Sequence, residues 1–159
     1  MKTNYYKFVA SQKMAKSILI AGHLWLEHVL VRSISAILPN HDALFKERSV
    51  NFHMLVSLCE AHGIIEPPLA VALRRINALR NKCAHRATYE LLDDPELNAL
   101  WSSVREIGDA NTLPELSDFD GAIEATAILL ERRARAVGAT DLEAIVPEIP
   151  DYVLRHLEA

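Results

Sequence analysis

Glycine is scarce in this chain, with five in 159 residues. β-branched residues are few as well, and together these shortages argue against a fold built from strands and tight turns. Aromatic residues make up 6% of the chain, so the core must be aliphatic. Cysteine is limited to Cys59 and Cys83, too few for a disulfide framework. Both lie in apolar-periodic segments and read as buried free thiols of an intracellular protein. Positive charge is not in excess: the net charge is −4 and the pI near 6.0, which speaks against wholesale electrostatic capture of nucleic acid. The longest apolar run, residues 17–31, is broken by His23, Glu27 and His28. That pattern does not suit a membrane span, and no signal-peptide pattern opens the chain. The expectation is a cytoplasmic protein with no membrane contact. Gly-rich phosphate loops, a Walker motif and a nucleophile elbow are missing, and no helix-turn-helix is evident. Cys59, His62, Cys83 and His85 do not make a zinc set, because Cys83 and His85 face apart at i,i+2 on a helix. No metal and no cofactor are expected.

What is abundant is helix former. Half the residues are hydrophobic, and Ala, Leu and Glu dominate. Apolar positions recur with the 3.6-residue period in five segments. The fold class is therefore all-α, a single helical bundle of about five or six helices over residues 1–159. Residues 11–38, 51–62 and 67–86 form its central three helices. The first is apolar over more than half its circumference and ends at Pro39 and Asn40. In it Glu27 has two readings: a partner for His23 at i−4, or a carboxylate that receives Arg80. His28 and Arg32 read as an i,i+4 surface pair. Residues 41–49 read as a connection. Asn51 caps the next helix and Gly63 stops it. Further helices run over 96–107, after Asp94 and Pro95, and from Ser117 or Asp118 to Val137, stopped by Gly138. Tyr5, Tyr6 and Phe8 suit a helical lead-in. The tail, residues 141–159, docks on the bundle or a partner through Val153, Leu154 and Leu157.

Chemistry concentrates at the end of the third central helix, in Leu79-Arg80-Asn81-Lys82-Cys83-Ala84-His85. Leu69, Ala72, Leu73, Ile76, Leu79 and Cys83 share the core face, and Arg80 lies at its margin. At about 100° per residue, Arg80 and His85 stand about 140° apart and cannot readily converge on one phosphate. Ala70, Val71 and Ala78 are small enough for a second protomer to approach. Arg74, Arg75, Arg80, Lys82 and Arg86 form a local basic patch with no acid among them. As a plain helix C-terminus, the same Arg and His would simply complement the dipole.

An Arg followed by Asn, with His four residues beyond that Asn, resembles the R-N-x-x-x-H motif of the HEPN superfamily. Leu58 to Ile65, followed by acid and prolines and then the motif helix, looks like its mannitol-repressor-like branch. The resemblance covers about residues 15–90. It implies a HEPN-like fold and a metal-independent endoribonuclease of toxin–antitoxin or phage-defence type, a hydrolase acting as a homodimer with a composite site. On that resemblance Arg80, Asn81 and His85 are the catalytic set. His85 is general acid or base, Arg80 holds the phosphate, and Asn81 positions His85 or a phosphate oxygen. Glu27 supports Arg80, and Lys82, Arg74, Arg75 and Arg86 bind the RNA backbone. A small nucleotidyltransferase antitoxin would be a partner. The same branch also implies an alternative, a catalytically silent helical dimer that acts as a transcriptional regulator or protein-interaction module.

Overall fold

Helix-ending residues divide the chain much as the sequence predicts. The computed structural model describes residues 15–46, 50–86, 91, 94–110, 113 and 119–142. Among these, six helices and no strand are present. They are α1 Ala15–Ile37, α2 His41–Lys46, α3 Phe52–Ala61, α4 Pro67–His85, α5 Glu96–Arg105 and α6 Phe119–Ala136. The lead-in aromatics and Val153, Leu154 and Leu157 of the tail lie outside the described residues. Residues 41–49 depart from expectation, since His41–Lys46 forms a short helix. It buries no residue fully, so no apolar stripe marks it in the sequence.

Local caps explain the boundaries. The Asn51 side chain accepts from the backbone N–H of Met54 at 2.9 Å and starts α3. Gly63, at φ +70°, ends it, and the N–H of Ile64 returns to the Cys59 carbonyl at 2.9 Å. The chain then tucks Ile64 and Ile65 into the core before Pro67 and Pro68 open α4. Gly138, at φ +91°, follows α6 in the same left-handed conformation.

Packing makes α1 and α4 central. α1 lies against α3, α4 and α6, and α4 against α1, α3, α5 and α6. Trp25, Leu26, Val29, Leu30 and Ile34 from α1 meet Leu69, Leu73, Ile76 and Leu79 from α4 in one fully buried core. Each such side chain contributes roughly 1.5–3 kcal/mol of transfer free energy. By length and composition α1 could cross a membrane, yet 72% of its most apolar window is buried inside the bundle. Its Trp25 also donates an indole N–H to Glu131 of α6 at 2.9 Å, satisfying two buried polar groups at once.

Three side-chain expectations need correction. Ala70 is fully buried, so only Val71 and Ala78 of that trio face outward. Cys83 is half-buried, unlike Cys59. His28 and Arg32 are not a surface pair. Arg32 donates to the Thr140 carbonyl at 3.2 Å, and the half-buried His28 interacts with the backbone of Leu142. Together they hold the chain segment that follows α6.

Candidate functional site

Where α1, α3 and α4 meet, helical spacing aims polar residues at a common space. His23 and Glu27 are i,i+4 neighbours on α1, and Asn77, Arg80 and Asn81 follow the i,i+3,i+4 rule on α4. The start of α3 closes the third side with Val50, Asn51, Phe52 and His53. These residues, with Leu24, line a cavity of about 520 Å³. That lies within the roughly 300–1,000 Å³ range of small-molecule sites.

Burial sets the electrostatics. The His23 ring stacks on Phe52 with centroids 4.1 Å apart, and its Nε2 lies 2.9 Å from Asn77 Oδ1. A carbonyl oxygen only accepts, so Nε2 carries the hydrogen. Desolvation lowers the His23 pKa to about 4, helped by the nearby Arg80 charge and opposed by the Asn77 bond. The imidazole is therefore neutral at pH 7. Burial raises the pKa of the Glu27 carboxyl above its usual value, and the positive charge of Arg80 pulls it back. Arg80 in turn donates to Asn81 Oδ1 at 3.2 Å.

The sequence-derived residues thus separate into groups. Arg80, Asn81 and Glu27 share the cavity. His85 is exposed in the last turn of α4 and does not line it. Asn81 has turned its carbonyl to Arg80. His23 bonds to Asn77 instead of pairing with Glu27, which corrects the i−4 reading.

The basic patch is also partitioned. Arg74 meets Glu60 at 2.7 Å, Arg75 meets Glu96 at 2.8 Å, and Lys82 meets Asp94 at 2.8 Å. Arg86 is exposed just past the helix. Cations adjacent in sequence therefore face carboxylates from α3, from α5 and from the segment before α5.

His23, Asn77 and Asn51 are site residues that the sequence reading did not assign. The i,i+4 spacing of His23 and Glu27, and of Asn77 and Asn81, is the signal that marks the first two, while Asn51 shows in the sequence only as a cap. A second polar cluster lies away from the cavity. Arg133 of α6 grips Glu66 at 2.6 Å and Asp109 at 2.5 Å, and Arg132 adds a 3.2 Å contact to Asp109. Hydrogen bonds from Arg133 hold both carboxyls below their ordinary pKa, Asp109 at about 2. Glu66 is the N-cap of α4, and with both carboxylate oxygens held by Arg133 it makes no side-chain cap bond. Among the described residues no three His, Cys, Asp or Glu side chains form a metal-binding group. No protein-family model, curated protein or solved structure matches the chain.

Proposed function

We propose that the protein is a metal-independent endoribonuclease of HEPN type, working as a homodimer in the cytoplasm. One observation carries this reading: Arg80 and Asn81 line a polar cavity with Glu27 in the field of the guanidinium, while His85 stands exposed at the end of the same helix. In the reaction the substrate 2′-OH attacks the adjacent phosphodiester. His85 takes the 2′-OH proton as general base, Arg80 stabilises the charge developing on the phosphoryl oxygens, and the 5′-oxygen leaves with a proton from water. The divergence of Arg80 and His85 on one helix favours a site that draws them from different protomers.

The test is cleavage of single-stranded RNA by the wild type, Arg80→Ala and His85→Ala. Each variant should lose at least about a hundredfold, the lower scale for general acid–base catalysis, with an unchanged circular-dichroism spectrum and oligomeric state. Cleavage should persist in EDTA, and an all-DNA strand should resist. Full activity in His85→Ala, or activity lost in EDTA and restored by zinc, would sink the reading.

A second reading draws support from the ion pairs. Arg74, Arg75 and Lys82 each meet a carboxylate, which reduces the field available to a phosphate backbone. This favours the catalytically silent module that binds a protein partner or acts as a regulator. It predicts a folded dimer with no cleavage of any RNA and a biological effect that survives His85→Ala.

A further inference from the structure

The cavity between α1, α3 and α4 has more polar functionality than phosphate binding requires. It offers one carboxyl, one guanidinium and the carboxamides of Asn51, Asn77 and Asn81. One acidic and one basic side chain leave its formal charge balanced, unlike a site built for an anion alone. All three carboxamides are already oriented, that of Asn81 with its oxygen toward Arg80. Asn51 uses its oxygen to cap α3, and Asn77 uses its oxygen to accept from His23. The remaining group on each is an NH₂, which can only donate. Glu27, when ionised, can only accept. The lining therefore presents an acceptor pair beside fixed donors.

We propose that this cavity is a guanine pocket, in which the Glu27 carboxylate accepts from the base N1–H and N2–H₂ and the Asn77 NH₂ donates to O6. The assignment to a base within RNA rests on the nuclease reading above; the choice of guanine rests on the lining. Guanine alone among the four bases sets two N–H donors side by side on its Watson–Crick edge, next to a carbonyl. Adenine sets one donor beside one acceptor there, cytosine one donor beside two acceptors, and uracil flanks a single N–H with two carbonyls. A carboxylate that cannot donate therefore meets an unmatched acceptor on each of these three. His53, exposed on the cavity wall, supplies a ring on which the flipped-out base can stack. Arg80, in the same cavity, is placed to contact the phosphate next to that base. Guanine held here would set the cleavage position relative to G in single-stranded RNA.

The experiment is calorimetric titration of the full chain with the four nucleoside 5′-monophosphates, which contain no phosphodiester to cut. GMP should bind at least about tenfold tighter than AMP, CMP or UMP, the scale of one good bidentate contact. N1-methyl-GMP should fall to the level of AMP, because the methyl group occupies the Glu27 contact. Glu27→Gln, which replaces one acceptor by a donor, should erase the preference. The methylated nucleotide keeps the proposal testable on wild-type protein if that variant does not fold. Equal affinity for all four nucleotides, or N1-methyl-GMP binding as tightly as GMP, overturns the guanine pocket. A parallel titration with a non-cleavable 2′-deoxy oligonucleotide carrying a single guanine separates free nucleotide from strand. Binding of the oligonucleotide at least as tightly as GMP supports a strand subsite, and binding of GMP alone overturns that part. Guanine selectivity without cleavage of any RNA would remove the nuclease and keep the pocket. Cleavage without guanine selectivity would do the reverse.

Discussion

His23 and Glu27 sit one turn apart on the same helix, yet burial pushes their proton affinities in opposite directions. Burial disfavours the charged form of each, lowering the His23 pKa to about 4 and raising that of Glu27. The signs of linkage therefore differ. The unfolded His23 takes up a proton near pH 6.5 while the folded ring does not, so stability is lost as pH falls from 6.5 toward 4. Through this group alone, on the order of 2 kcal/mol should disappear between pH 7 and 5. Phe52 from α3 and the Arg80 charge from α4 face the ring and hold it neutral, while the Asn77 bond from α4 works against them. His23→Gln, which keeps a donor for Asn77, should flatten that loss in urea unfolding at the two pH values. A pH slope unchanged from wild type would mean that another group is responsible. For Glu27 the folded carboxyl binds its proton more tightly than the unfolded one. Stability is then lost as pH rises above 4.5, through the raised folded pKa. Glu27→Gln should accordingly melt at or above the wild-type temperature at pH 8, with the gap closing toward pH 4.5. That outcome reverses the simpler expectation of a stabilising Glu27–Arg80 pair, because desolvation outweighs the guanidinium's attraction. A variant that melts well below wild type at pH 8 would restore the pair.

Between elements, Arg133 does what no cap or apolar stripe does. Its guanidinium ties the residue before α4 to Asp109, beyond α5, and so joins three segments that meet at one end of the bundle. All three side chains are about a quarter to a third exposed, between the surface and buried regimes. Arg133→Ala leaves Glu66 and Asp109 facing one another and should cost roughly 1–3 kcal/mol at pH 7. Both carboxyls have depressed folded pKa values, so the stabilisation is present above their unfolded values of 4.5 and 3.8. It drains away as pH falls through those values toward about 2 for Asp109. Wild type and variant should therefore converge in urea unfolding near pH 2. A constant gap from pH 7 to pH 2 would show that Arg133 acts by packing its stem and not through its charge.

For the whole molecule, the question is whether one protomer contains a complete site. Arg80 faces the cavity and His85 stands outside it on the exposed last turn of α4. If cleavage needs Arg80 of one chain and His85 of the other, a mixed dimer of Arg80→Ala and His85→Ala retains one intact pair in trans. Mixing and reannealing the two inactive variants should then restore cleavage to at most about half of wild type per dimer. Activity that stays at the level of the separate variants would mean that both copies of each residue are required. A monomer by light scattering that cleaves at full rate would remove the shared site altogether.

The sequence by itself determined the helices. Asn51, Gly63, the Pro67–Pro68 pair and Gly138 mark ends within a residue or two of where they fall, and the 3.6-residue spacing marks Leu69, Leu73, Ile76 and Leu79 as core. These features depend on neighbours within one or two turns, so they can be read locally. The short helix His41–Lys46 escaped because it buries nothing fully and has no stripe to read. The motif at Arg80, Asn81 and His85 was equally visible as spacing, and so was the divergence of its two ends. Only the tertiary structure decided the partners. His23 meets Asn77 across 54 residues, Arg133 meets Glu66 across 67, and Trp25 meets Glu131 across 106. The basic run on α4 looked like a positive face because the acids that meet it, Glu60, Asp94 and Glu96, lie outside that helix. Which carboxylate meets which cation follows from the packing of whole helices through their apolar faces. No local pattern in the polar residues encodes it.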